Sequence, residues 1–359
     1  MIAPAPFATE PASRTRATKP RALRLLVLLT DEERFTFFPD GGIASCLEFP
    51  NTIACCIPPA DPVAHDWTAL LEQHRPDVLI GAWSLPPLPA HFSGWAPRYY
   101  CHLSGAIRRH VPLSLIEDGL LVTNWGDSTA PYVAEVALMH TLAALQNAGH
   151  HQFAIHQRGG WRCAETVSDK SRPRSLFGLR VGLHGFGAIA REYVHLLAPF
   201  HPRLSAWDPY VSAATLAQHD ITPTPSLEAL FQTSDVLAEF AALTPETDGI
   251  VNKTLLSRLP ADAVFINVAR GRLVDEAALA DCVSSEKIRA GLDVFAKEPL
   301  PLDSPLRGQP AVHVTPHIGL RSAASRLAAG RHAVQNLARF ARGLPLLNPI
   351  TPAHYARMT

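Results

Sequence analysis

The stretch Leu179-Arg-Val-Gly-Leu-His-Gly-Phe-Gly-Ala-Ile-Ala190 decides the fold. An apolar run ending at His184 breaks at Gly185, and the residues beyond the break have helical character to about Leu197. Gly185-Phe-Gly187-Ala-Ile-Ala190 is a G-x-G-x-x-A string in which each small residue has a task. Gly185 permits the tight turn after a strand, Gly187 lets a pyrophosphate approach the backbone, and Ala190 lets the new helix pack on its sheet. The free N–H groups and partial positive charge at the helix start then suit phosphates. Ordinary strand-to-helix turns also contain glycine pairs, so context must decide. Asp208 supplies that context, roughly 20 residues beyond Gly185 and just past the next apolar run. A carboxylate there accepts hydrogen bonds from an adenosine ribose diol and repels a 2′-phosphate. No Lys or Arg lies between Pro209 and Ala214 to receive such a phosphate, so NAD is expected rather than NADP.

Outward from this turn the chain alternates strand-like and helical stretches. Strand-sized apolar runs precede it at Leu25 to Leu29, Val78 to Ile80 and Leu120 to Val122. Others follow it at Leu204 to Trp207, Val236 to Phe240, Ala263 to Val268, Ala290 to Asp293 and Val312 to Val314. This βαβα rhythm predicts an α/β protein with doubly wound parallel sheets, two Rossmann-like domains and a cleft between them. Six strands would complete the dinucleotide-binding unit. Ala134, Leu138, Leu142 and Leu145 recur at helical spacing, which predicts one long helix from about Ala130 to His156, ending near Gly159-Gly160.

A length of 359 residues suits two domains. Hydrophobic residues make up 47% and charged ones 18%, with 32 Lys+Arg against 32 Asp+Glu, so neither a disordered chain nor a basic field for nucleic acid is expected. No apolar run approaches the eighteen or so residues that span a bilayer, and no membrane partner is expected. The six cysteines (Cys46, Cys55, Cys56, Cys101, Cys163, Cys282) lack the spacing of a zinc site or a secreted scaffold. They read as reduced thiols of a cytoplasmic protein with no metal. Residues 1–24, rich in Pro, Ala, Thr and basic side chains, read as a loose tail.

Three later strings carry chemistry. In Asn267-Val-Ala-Arg270-Gly271 an arginine follows a strand and should project from the sheet's carboxyl edge, where a guanidinium can fork a carboxylate and polarise a carbonyl. Gly291-Leu-Asp293-Val-Phe-Ala-Lys-Glu298-Pro299 offers two carboxylates, and Thr315-Pro-His317-Ile-Gly319 a histidine. A carboxylate beside an imidazole fixes its tautomer and makes an acid/base group, and Glu298 with His317 is the proposed pair. Among 17 histidines, position at a strand end singles out His317.

By these strings the chain resembles the D-isomer-specific 2-hydroxyacid dehydrogenases from about Leu120 to Leu320. Trp207-Asp-Pro-Tyr210 and Leu243-Thr-Pro-Glu-Thr247 strengthen the likeness. The resemblance implies hydride transfer between NAD and a small 2-oxo or 2-hydroxy acid, with Arg270 as carboxylate anchor, His317 as proton donor or acceptor and Glu298 as its partner. It implies Asp293 near the nicotinamide amide, and Gly185, Gly187, Ala188, Ile189, Asp208, Thr244 and Ala269 on the cofactor. It also implies a split substrate domain, 25–127 with 320–359, around a cofactor domain at 128–319. The family is usually dimeric through its cofactor domains, so a homodimer through Tyr132 to Gln157 is expected.

Departures accompany the likeness. Phe240-Ala-Ala242 stands where the family has His-x-Pro, which removes a polar contact on the cofactor side. His184 stands where the family has an aliphatic residue, and it reads as a satisfied core histidine. Before Leu120 the match thins: Trp83 and Ser84 correspond to the backbone loop for the substrate carboxylate, and Gly105 to the family's glycine loop. Arg108-Arg109-His110 reads as a solvated basic helix end, and Trp95 as core filling. The related corepressors keep a similar site, so an NAD(H)-sensing regulator is the alternative.

Overall fold

The computed structural model describes residues 23–39, 67–158 and 172–358. The N-terminal tail up to residue 22, Cys46, Cys55, Cys56, Cys163, Gly159-Gly160 and Trp161 lie outside them.

Strands β1 (Leu25–Leu28), β2 (Val78–Gly81), β3 (Tyr99–His102) and β4 (Leu121–Thr123) form one parallel sheet in that order. Their side chains are almost wholly buried because both faces are covered. On one face Val27, Ile80 and Tyr99 pack against Phe37 and against Ala329, Ala333 and Leu337 of the helix Ala323–Ala341. On the other, Leu26, Leu79 and Tyr100 meet Leu71, Leu115 and Ile350. The C-terminal part of the chain therefore completes the core of the first sheet. β3 has no apolar signature in Tyr-Tyr-Cys-His, yet it is central and buried. Its polar tips are all partnered: Tyr99 Oη bonds Thr123 Oγ1 at 2.6 Å, and Tyr100 Oη bonds His102 Nδ1 at 2.8 Å.

The second sheet is parallel and seven-stranded. It comprises β5 (Arg180–His184), β6 (Arg203–Trp207), β7 (Thr222–Pro223), β8 (Val236–Glu239), β9 (Ala263–Asn267), β10 (Ile288–Leu292) and β11 (Val312–Val314). The order is β11-β10-β9-β8-β5-β6-β7, so the winding reverses between β5 and β8 and leaves a crevice at their carboxyl ends. The seventh strand, β7, is beyond the six expected; it is a two-residue edge containing Pro223, a place where proline is tolerated.

The single long helix expected over Ala130 to His156 is instead two, Ala130–Leu145 and Ala148–Arg158. Asn147 between them takes φ +52, a left-handed conformation that asparagine accepts more readily than most residues. The carbonyls freed at the break are not orphaned: Arg289 Nη1 donates to Leu145 O at 2.8 Å, and the Arg174 N–H donates to the same oxygen at 2.9 Å.

Candidate active site

The glycine turn behaves as its composition requires. Gly185 has φ +86, and a Cβ there would lie 2.8 to 3.0 Å from backbone atoms of Phe240 and Ala241. Gly187 is the N-cap of the helix Ala188–Leu197 and supplies no side chain to its free N–H groups. A Cβ on Gly187 would meet nothing within 4 Å, because the residue borders open space. That space is a cleft of about 480 Å³, bordered by Gly187, Ala188, Ile189, Arg270, Asp293 and His317 among others. An uncapped helix start opening on such a cleft fits a dinucleotide's pyrophosphate.

Asp208 binds the turn together. Its Oδ2 accepts from the Phe186 N–H and its Oδ1 from the Tyr210 N–H, both at 2.8 Å. Each oxygen keeps a second lone pair for a ribose hydroxyl. His184 is buried, and its Nδ1 lies 2.6 Å from Oε2 of the equally buried Glu239. Oε1 of Glu239 accepts from the Ala241 N–H at 2.9 Å, which ties this pair to the loop that Gly185 approaches.

At the other end of the cleft, His317 Nδ1 is 2.8 Å from Glu298 Oε2. Glu298 is itself fixed, since its Oε1 accepts from the Phe295 N–H at 3.0 Å. The imidazole's Nε2 is thereby left as the nitrogen for chemistry. His317 sits at φ +54, a strained region for this residue type, and Asp293 holds it there. The Asp293 carboxylate accepts from Thr315 Oγ1 (2.6 Å), Ile318 N–H (2.7 Å) and Gly319 N–H (2.9 Å).

Thr315 is backed in turn by His140, whose Nε2 lies 2.8 Å from Oγ1. Because Thr315 gives its proton to Asp293, the geometry assigns His140 the Nε2–H tautomer, with Nδ1 accepting from His313 Nδ1 at 3.0 Å. Burial first, and then the neighbouring His313, pushes His140 down to about 3, so it stays neutral. Arg270 is partly buried, and burial lowers its pKa while Glu298 opposes the shift. Its Nη1 donates to Ala269 O at 2.7 Å, which leaves the rest of the fork available.

Gly105 also lines the cleft, but Trp83 and Ser84 are not among its lining residues. Buried Glu33 accepts from the Ser84 N–H at 2.8 Å and from Ser84 Oγ at 2.7 Å, and Arg326 lies over the Trp83 ring at 4.9 Å. Thr244 and Ala269 likewise fall outside the lining, each with its N–H given to a side chain of its own loop, Thr247 and Asn267. At Arg108-Arg109-His110 both arginines are exposed as expected, but the segment is a turn rather than a helix end. His110 is buried with Nδ1 2.8 Å from Leu85 O, and Arg108 bonds the carbonyls of Tyr355 and Ala356. Trp95 packs beside Phe92 in the apolar layer under the first sheet.

Three cleft-lining residues come from the far C-terminus: His354, Arg357 and Met358. Neither a motif nor periodicity announces them; only the return of the chain to the first sheet could have pointed there. Among the described residues no three His, Cys, Asp or Glu side chains are gathered as a metal site, and no helix is long and apolar enough to cross a membrane.

The chain is similar to known proteins in sequence and in fold. Residues 137–319 match the family model described as D-isomer specific 2-hydroxyacid dehydrogenase, NAD binding domain. D-3-phosphoglycerate dehydrogenase of Mycobacterium tuberculosis is 36% identical over 220 residues, 61% of this chain and 40% of that protein. The chain thus aligns with well under half the length of that relative. Hydroxypyruvate reductase of Blautia hydrogenotrophica is 31% identical over 232 residues, covering 64% of this chain and 71% of the relative. In fold, the chain is similar to the NAD-complexed D-isomer specific 2-hydroxyacid dehydrogenase of Lactobacillus delbrueckii, with a TM-score of 0.72 and 17% identity over 91% of this chain and 100% of the other.

Proposed function

This chain belongs to the D-isomer-specific 2-hydroxyacid dehydrogenase family, with NAD as its cofactor, and from that premise we propose that it interconverts a 2-oxo acid and its D-2-hydroxy acid. The observation that carries the proposal is His317 on the same cleft as Arg270 and the open helix start at Gly187, with Glu298 2.8 Å from its Nδ1.

Bound NAD supplies the two-electron redox chemistry. Gly187, Ala188 and Ile189 would hold its pyrophosphate, and Asp208 its adenosine ribose. Arg270 binds the substrate carboxylate with the guanidinium edge not spent on Ala269. In the reducing direction, His317 gives the proton held at Nε2 to the substrate's carbonyl oxygen while Glu298 steadies the positive ring; oxidation reverses the transfer. Asp293 keeps the His317 loop in place and thereby serves position rather than proton transfer.

In this reading residues 25–127 and 320–359 make the substrate domain and 128–319 the cofactor domain. The packing of Ala329, Ala333 and Leu337 on the first sheet supports that division. Two copies would associate through Tyr132 to Gln157 in a cytoplasmic homodimer, and the exposed Met139, Phe153 and Ile155 in that stretch support such a contact. The regulatory alternative has no observation in its favour.

A panel of 2-oxo acids, followed by NADH absorbance at 340 nm with chiral analysis of the product, tests the proposal. D-2-hydroxy acid formed in step with NADH loss is expected. A protein that binds NADH yet turns over no 2-oxo acid overturns it.

A further inference from the structure

The glycine turn carries no cation of its own: Gly185-Phe-Gly-Ala-Ile-Ala190 has no basic side chain, and Arg191 lies over the Phe186 ring at 5.6 Å. Two arginines line the cleft, and one of them, Arg270, is partly buried near Glu298 at the His317 end. The other is Arg357, on a segment rooted in the opposite sheet. Ile350 is buried beneath that sheet and donates its N–H to Val122 O at 2.8 Å. Thr351 caps the short helix Pro352–Tyr355, and Tyr355 Oη donates to Val111 O at 2.8 Å. Arg108 clamps the end of this segment, with Nε 3.2 Å from Tyr355 O and Nη2 2.6 Å from Ala356 O.

So anchored, the segment reaches across the cleft. Its tip sets the Arg357 guanidinium 5.2 Å from the centroid of the exposed Tyr210 ring, two residues past Asp208 on the cofactor sheet. Among the described residues the Arg357 guanidinium is engaged only with that ring and with Ala353 O, at 3.2 Å. It is an exposed cation held at the mouth of a site whose opposite wall is an uncapped helix start.

We propose that Arg357 is a cofactor-binding residue: the C-terminal segment carries it across from the substrate sheet to meet the dinucleotide's pyrophosphate, supplying the counter-charge that the glycine turn lacks. The inference rests on the cofactor reading above. It also gives the two halves a shared ligand, since the negative charge held by the Gly187 helix start would be held from the other side by Arg357. Adenosine 2′-phosphate has the same chemistry, but Asp208 disfavours it there.

The test is equilibrium binding, read by nicotinamide fluorescence for NADH and NADPH and by calorimetry for ADP, with the full-length parent and with Arg357→Ala, Arg357→Gln and Arg357→Lys. The expected result is that the Ala and Gln variants bind NADH and ADP about tenfold more weakly, while Lys keeps most of the affinity. Parental affinity of Arg357→Ala for both NADH and ADP overturns the proposal, as does a loss confined to NADPH, which would put the guanidinium on the 2′-phosphate. Failure of the parent itself to bind NADH would overturn the cofactor reading instead, so the two failures are distinct.

Discussion

The two sheets contribute to one cleft in different ways. On the seven-stranded sheet five groups of interest stand just past a strand: Gly185 after β5, Asp208 after β6, Arg270 after β9, Asp293 after β10 and His317 after β11. A side chain at such a position inherits its direction from the strand beneath it, and the carboxyl edge gathers these groups in one place. On the four-stranded sheet the contributions are loops and a returning C-terminus. Ser84 stands just past β2 as well, yet its N–H and hydroxyl are both taken by Glu33 from a different helix. Arg357, far from any strand end, lines the cleft. Strand ends constrain direction, whereas loops answer to whichever neighbour satisfies their polar groups first.

Substitutions can break this contrast. If Arg270 anchors the substrate carboxylate as proposed, Arg270→Ala should lower kcat/KM for the 2-oxo acid by about 10² to 10³, with Arg270→Lys between it and the parent. Steady-state kinetics check this, and unchanged kcat/KM would mean that another group holds the carboxylate. Glu298→Gln keeps the shape but not the charge behind His317, and a fall in kcat of about 10- to 100-fold is expected with NADH affinity unchanged. Asp208→Ala should act on binding alone, weakening NADH about tenfold by fluorescence titration and narrowing its advantage over NADPH.

The smallest effect concerns stability. His140, held down to about 3 by burial and by His313, cannot take the proton that the unfolded chain accepts below its ordinary value near 6.5. Stability is therefore unaffected above pH 6.5 and falls as pH drops toward 3, the loss reaching about 2 kcal/mol at pH 5. His140→Gln, which can still donate to Thr315, should flatten the fall in unfolding free energy between pH 7 and pH 5. An unchanged slope would assign the acid sensitivity to the other buried histidines.

How much the residues disclose depends on the same contrast. The alternation of apolar runs with helical stretches is a local signal, and it carried both sheets and most of their strands. β3 escaped because Tyr-Tyr-Cys-His buries polar atoms that only distant partners such as Thr123 satisfy. The break at Asn147 escaped because what makes it tolerable is remote: the carbonyls it frees are met by Arg289 and Arg174 from distant segments. Position at strand ends nominated Arg270 and His317, which line the cleft, while Gly185, Asp208 and Glu298 lie outside its lining. The staple that Asp293 makes across Thr315, Ile318 and Gly319 was not legible, nor was the pairing of His184 with Glu239, since both depend on which strands become neighbours.

The proton-transfer assignment to His317 is most directly tested by measuring, on one preparation of His317→Ala, both kcat with the best 2-oxo acid and the dissociation constant for NADH. A drop in kcat of about 10² to 10⁴ with parental NADH affinity is predicted. Parental turnover in that variant would contradict it.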